Sequence, residues 1–185
     1  MSEPRFYAEK LQHAIHLILF RRGKLPGAKE WELKTKLGRN YRDVIAQLNQ
    51  LLGELDLEIR RIEEEPSEFD TTSTLDRPDA RYVVTLKGSL KPKEARMTGW
   101  RIDNLAGLAM ALSYVVSKQG KASRQDVEKL LATKFGRWKS LTLMEACIRT
   151  GYLREDEPDV LAIGWRTKAE VDLRELMTLL AQARA

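Results

Sequence analysis

The sequence predicts a mainly helical chain with small β-hairpins, an α+β fold, and three observations predict it. Apolar residues recur at helical spacing along most of the chain. Short runs rich in Val, Ile, Leu and Tyr follow two of the helical stretches. The order helix, short helix, helix, two strands occurs over residues 5–87 and again over 102–165, with a last helix beyond. Three helices closed by a hairpin is the order of a winged helix. The expected architecture is therefore tandem winged-helix domains: 1–88 with a long acidic wing, a basic linker 89–101, and 102–185 with a C-terminal helix.

Residues 5–22 read as the first helix, because Leu11, Ala14, Ile15, Ile18 and Leu19 share one stripe. Gly23 ends it and Pro26-Gly27 turns the chain. Ala28–Leu37 is expected as a short second helix, and Gly38 stops it. Asn40 is placed to cap a third helix, 41–53, whose Val44, Ile45, Leu48, Leu51 and Leu52 face inward. Leu55–Ile62 alternates as a strand, and Tyr82–Leu86 is its partner. Residues 63–80 between them are polar and broken by proline, which predicts an acidic wing loop.

In the second half, Asp103 or Asn104 is expected to cap a helix carrying Leu105, Leu108, Ala109, Leu112, Val115 and Val116. Gly120 stops it. Ser123-Arg-Gln-Asp approaches a capping box and opens a helix that ends at Phe135-Gly136. Residues 138–149 form the third helix, with Trp138 expected to pack against the hairpin. Residues 152–154 and 160–163 are short strands, and Lys168–Arg184 is read as one closing helix. Trp100 is expected to anchor the end of the linker.

Composition narrows the function. The chain has 185 residues and a net charge of +5. No apolar run approaches the roughly 20 residues that span a bilayer, and the N-terminus lacks the order of a signal peptide. A soluble, cytoplasmic protein is expected. Cys147 is the single cysteine, so an internal disulfide and a cysteine-based zinc site are both excluded. His13 and His16 stand three apart on a helix, but only Glu9 is near enough to complete a metal site, and no metal is expected. The spacing of a phosphate loop, a nucleophile elbow or a zinc-protease helix is missing. The acid run Glu63-Glu64-Glu65 falls in a loop, where burial will not raise a carboxylate pKa. No catalytic residue and no cofactor are assigned, and the chain is not read as an enzyme.

Charge is unevenly spread. Residues 21–42 hold eight Lys or Arg against two Glu, and 118–139 hold seven against two acids. Residues 54–70 hold eight acids against two Arg. A winged helix that binds DNA lays its third helix in the major groove. Candidate DNA-binding residues are therefore Lys34, Lys36, Arg39 and Arg42 in the first unit, and Lys91, Lys93 and Arg96 in the linker. In the second unit they are Lys121, Arg124, Lys134, Arg137 and Lys139. The acidic wing would repel the backbone it should touch, and 140–152 offers few side chains for base edges. Any contact is expected to be backbone-directed and salt-sensitive.

Two segments carry a family resemblance. Residues 151–180, GYLREDEPDVLAIGWRTKAEVDLRELMTLL, resemble the close of the MAGE homology domain. Gly164, Arg166, Ala169 and Glu170 match its closing turn, and Trp165 stands where that family has proline. The related RING-bearing partners continue into cysteine-rich zinc ligands; this chain does not, so ubiquitin-ligase chemistry is not implied. Residues 11–62 and 81–88 resemble the first winged helix of ScpB-type bacterial segregation proteins: an apolar helix, a Gly/Pro turn, Leu37-Gly38, a helix rich in Val and Leu, then a strand. Together these resemble the kite group, the kleisin-interacting tandem winged-helix subunits of SMC complexes.

The resemblance implies a non-catalytic subunit of an SMC–kleisin complex for chromosome condensation and segregation. Its implied partners are a kleisin, a second copy of itself, an SMC protein held indirectly, and double-stranded DNA, with a nucleoid-associated location and no membrane. Two other readings stay open. One is a tandem winged-helix transcription regulator with Arg39 and Arg42 on bases. The other is a scaffold of the same fold that touches no DNA.

Overall fold

The computed structural model describes residues 3–20, 25–64, 79–88 and 100–182. The linker residues Lys91, Lys93 and Arg96, and most of the acidic wing, lie outside that set. The described residues fall into two compact units, one reaching residue 88, just past the strand that ends at Leu86, and the other beginning at Trp100. Both are winged helices, so the chain is mainly α with two small antiparallel sheets.

The first unit runs α1 (Glu3–Leu19), β1 (Ala28–Lys29), α2 (Glu30–Leu37), α3 (Tyr41–Gly53), β2 (Leu57–Glu64) and β3 (Asp79–Leu86). The second helix begins two residues later than its sequence suggests. Ala28 and Lys29 instead pair with Tyr82 and Arg81, giving the sheet order β1-β3-β2. Two residues are too few to show a strand period, so only the partner reveals them. The pairing needs Gly27. Its φ is +81°, and a Cβ there would lie 2.4 Å from the Tyr82 carbonyl oxygen. The buried Arg81 guanidinium donates to the Pro26 carbonyl at 3.2 Å and ties down the same turn. Glu32 closes the start of α2 by accepting from the Lys29 N–H at 2.8 Å.

The core of this unit follows the predicted stripes, except that Leu19 at the end of α1 is exposed. Ala14 and Ile18 of α1, Leu33 and Leu37 of α2, and Val44, Ile45, Leu48 and Leu52 of α3 are buried together against Tyr82. Each fully buried Leu or Ile contributes roughly 1.5–3 kcal/mol. Leu51, expected inside, is exposed, because Leu48 and Leu52 already fill that turn of the helix. β2 is a sheet edge, and Asn49 accepts from the Ile59 N–H at 2.6 Å, covering one outward donor of that edge.

The second unit runs α4 (Ile102–Ser117), β4 (Lys121–Ser123), α5 (Arg124–Phe135), α6 (Arg137–Arg149), β5 (Leu153–Glu157) and β6 (Val160–Ile163). It closes with α7 (Trp165–Glu170) and α8 (Leu173–Gln182). The sheet order β4-β6-β5 repeats that of the first unit. Leu108, Leu112, Val115, Val127, Leu131, Met144 and Leu161 form its core. Trp100 packs edge-on to Tyr152, 5.6 Å between ring centres, and so anchors the start of the unit.

Four expectations are corrected here. Helix α4 starts at Ile102, ahead of Asp103, with Arg101 at the cap position. Ser123 occupies the N-cap of α5 without a side-chain bond; the Arg124 N–H is satisfied by the Asp159 carbonyl of the hairpin turn at 2.7 Å. The closing helix is two helices. Val171 is extended, and the Asp172 carboxylate accepts from the N–H groups of Arg174 and Glu175 at 2.9 Å each, which caps a new helix. Trp138 does not pack on the hairpin: it is 84% exposed, on the α6 face it shares with Thr142, Glu145 and Arg149.

Thr85 on β3 is buried, and its hydroxyl has no hydrogen-bond partner among the described residues. A buried hydroxyl without a partner costs on the order of 1–3 kcal/mol. Thr85→Val is therefore expected to leave the melting temperature unchanged or raise it, as thermal denaturation followed by circular dichroism will measure.

Candidate functional site

The cations of the first unit are gathered by one buried carboxylate. Glu30, at the start of α2, accepts a hydrogen bond from the Tyr41 hydroxyl of α3. Lys34 reaches the same carboxylate at 3.1 Å, Arg61 of β2 at 3.3 Å and Arg42 at 3.7 Å. Arg42 also donates to the Tyr41 hydroxyl at 2.9 Å. The Tyr41 ring stands edge-on to Tyr82, 6.4 Å between centres, and both Lys34 and Arg42 lie 5.7 Å from its centroid. Burial alone would raise the Glu30 pKa. The hydrogen bonds from Tyr41, Lys34 and Arg61 override it and lower the value from 4.5 to about 2. Lys34 and Arg42 are thus engaged within the unit, while Lys36 and Arg39 are exposed and have no ionic partner among the described residues.

The second unit divides its cations in the same way. Arg124 is held between Glu145 of α6 and Glu155 of β5. Lys121 pairs with Asp156 and lies 3.8 Å from Glu157. Asp156 also takes Arg154, and these cations hold its carboxyl below the usual range. Lys139 of α6 pairs with Asp103 of α4, which Arg101 also reaches at 3.2 Å. Hydrogen bonds from Arg101 and Lys139 hold the Asp103 carboxyl well below the ordinary carboxylate value. Lys134 and Arg137 are exposed and carry no ionic partner among the described residues. Of the predicted DNA-binding set, the described structure therefore leaves Lys36, Arg39, Lys134 and Arg137 unpaired.

Beside the Lys139–Asp103 pair lies a groove of about 200 Å³ between α4 and α6, lined by Trp100, Asn104, Lys139, Thr142, Leu143, Ala146, Cys147 and Thr150. Its walls are mostly apolar. Gly107 lets α4 sit against Leu143, since a Cβ there would fall 2.5 Å from a Leu143 methyl. Ile102 and Leu105 of α4 are exposed near the same end of the helix. Burial pushes the Cys147 thiol up to about 11, so at neutral pH it is a protonated packing group and not a nucleophile. Sequence reasoning missed this groove. Its lining residues are spread over two helices, and no local pattern marks them.

The closing turn is explained residue by residue. Gly164 passes so near the Gly151 carbonyl oxygen that a Cβ would lie 2.2 Å from it. The Gly164 N–H then donates to the Tyr152 carbonyl at 2.9 Å, and the Arg166 N–H to the Gly151 carbonyl at 3.0 Å. Arg166 lies 4.8 Å over the Tyr152 ring and donates to Glu170 at 2.7 Å. Glu170 accepts from the Tyr152 hydroxyl at 2.5 Å, and Ala169 is fully buried. Burial and this carboxylate push the Tyr152 pKa well above its ordinary value.

Among the described residues no group of three or more His, Cys, Asp or Glu could hold a metal ion, and no helix is long and apolar enough to cross a membrane. His13 and His16 are both exposed on α1. No protein-family model and no curated protein matches the chain. In structure it is similar to a chain of a solved Nse1-Nse3-Nse4 complex, with a TM-score of 0.65 at 17% sequence identity. The match covers 100% of this chain and 92% of that one. At that identity the likeness concerns the fold.

Two outcomes follow from these contacts. The folded Glu30 pKa is depressed, so its contribution is full above about pH 4.5 and is lost as the pH falls toward about 2. Glu30→Gln is expected to cost about 1–3 kcal/mol at neutral pH and to flatten that acid limb, as urea unfolding at a series of pH values will measure. Gly164→Ala is expected to cost about 1–3 kcal/mol or more through the forced backbone shift, read as a lowered urea midpoint.

Proposed function

We propose that this chain is a non-catalytic subunit of an SMC–kleisin-type complex that condenses and segregates chromosomes. The groove between α4 and α6 carries the reading. A mostly apolar furrow with a Lys139–Asp103 pair on its rim suits the nonpolar face of a partner helix, which inserts side chains at i, i+3 and i+4. Nothing in the groove is prepared for chemistry, since the Cys147 thiol stays protonated and its neighbours are Thr, Ala and Leu. The solved assembly that the chain resembles is itself a complex of several proteins, in keeping with a role as an assembly part.

In this reading the kleisin occupies the groove and links the subunit to an SMC protein. A second copy of the chain associates through exposed apolar side chains of the first unit, such as Phe20 at 72% and Leu55 at 69% exposure. Double-stranded DNA is touched non-specifically by the unpaired cations, on the nucleoid in the cytoplasm. Direct base reading by a transcription regulator is less well supported, because Arg42, one of its two proposed readers, is held by Tyr41 and Glu30.

The test is capture of a purified kleisin from an SMC complex by the full chain. Binding is expected, and Thr142→Arg should weaken it at least tenfold while leaving the fold intact, because Thr142 is an exposed groove residue. Mobility shifts on random duplexes should show weak binding that fades with salt. A sequence preference that survives salt would overturn the reading in favour of a transcription regulator.

A further inference from the structure

We propose that the corner between α5 and α6 is a contact point for single-stranded DNA, with Trp138 as a stacking platform and Lys134 and Arg137 as phosphate partners. The proposal rests on the DNA contact of the proposed function and goes beyond it: at this one place a single strand is bound in preference to the weakly held duplex. It starts from an indole in water. Trp138 is 84% exposed although large aromatic rings are usually buried. It stands at the second residue of α6, just past the Gly136 turn, with Arg137 beside it and Lys134 in the last turn of α5.

The charges at this corner differ from those around it. Lys121, Arg124 and Lys139 are each neutralised by a carboxylate, whereas Lys134 and Arg137 have no ionic partner among the described residues. Free positive charge on α5 and the start of α6 is thus concentrated around the exposed ring. A ring flanked by two free cations fits a base and its adjoining phosphates.

The form of DNA follows from the hairpin and from α6. A duplex docked along α6 would bring the β5–β6 hairpin onto its backbone. On that hairpin Glu155 is bound to Arg124 and Glu157 lies 3.8 Å from Lys121, but exposed Asp159 has no ionic partner among the described residues and repels phosphate. The outer face of α6 offers Thr142, Glu145 already bound to Arg124, and Arg149 only at its far end, too few side chains to read base edges. A single strand needs neither the hairpin nor the length of the helix. Its bases present free faces to a ring, and the contact can be confined to the corner.

The experiment is fluorescence anisotropy with a labelled oligo(dT) and a random duplex of equal length, using the full chain across a salt series. No kleisin is present, so failure of kleisin capture and failure of this proposal are distinguishable. The wild type is expected to bind oligo(dT) more tightly than duplex. Trp138→Ala should weaken oligo(dT) binding roughly tenfold with an unchanged salt slope, and Trp138→Phe should keep most of the affinity. Arg137→Ala should reduce the slope of log K against log salt by about 0.7, the value for one lost phosphate contact on a single strand. Duplex bound as tightly as oligo(dT), or wild-type affinity in Trp138→Ala, would overturn the proposal. So would tighter binding of oligo(U) than of oligo(dT). A change in the mass of Trp138→Ala by sedimentation would instead assign the ring to a contact between protein copies and would also overturn it.

Discussion

A carboxylate taken out of water must be surrounded by donors or it will not stay ionised, and much of the first unit is arranged around that demand. Glu30 sits where α2 leaves β1, and its partners come from every side: Lys34 from its own helix, Tyr41 and Arg42 from α3, Arg61 from β2. Tyr41 in turn meets Tyr82 of β3 edge-on. One buried charge therefore fixes the second helix, the third helix and the hairpin relative to one another. The apolar stripe supplies the larger share of the driving force, but it is tolerant of small rotations. The charged hub is not, because each hydrogen bond has a narrow range of distance and angle.

The second unit meets a similar need with a backbone contact. Gly164 approaches Gly151 at a distance no side chain permits, and Tyr152, Arg166 and Glu170 lock the turn that follows. This gives a physical reason for the closing-turn pattern read in the sequence: Gly for the approach, Arg for the ring and carboxylate, Ala for the buried position, Glu for the tyrosine hydroxyl. The Trp165 indole edge lies close to Gly151, the partner glycine of the contact, and a Cβ there would fall 2.7 Å from its ring nitrogen.

Both units spend cations on their own acids, and that changes how the charge runs are understood. Counted along the chain, residues 21–42 and 118–139 are basic stretches. In space, Arg42, Lys121, Arg124 and Lys139 face carboxylates contributed by other elements, and Lys34 faces Glu30 of its own helix. What remains to attract a polyanion among the described candidates is confined to the turns that lead into the third helices, where Lys36 and Arg39 lie in one unit and Lys134 and Arg137 in the other. The groove between α4 and α6 is a separate surface of different character, apolar and shaped for a side chain rather than a phosphate.

Local pattern along the chain is enough for the winged-helix order, the span of α3, the position of β6 and the core stripes of α1, α3 and α4, apart from Leu19, Leu51 and Leu105, which are exposed. These rest on periodicity and on Gly and Pro, which act within a few neighbours along the chain; the expected caps contribute less, since Asn40 and Ser123 hold the cap positions without a side-chain bond and Arg101 takes the place of Asp103 or Asn104. The sequence also marked the closing turn through Gly164, Arg166, Ala169 and Glu170. It did not mark β1 and β4, which exist only because β3 and β6 lie beside them. It misplaced Trp138, because an aromatic residue at the first turn of a helix has no local signal for which way its face will turn. The Glu30 hub, the pairing of the basic runs and the α4–α6 groove were decided by tertiary structure alone. Each joins residues far apart in the chain, and only folding determines which charge stands next to which.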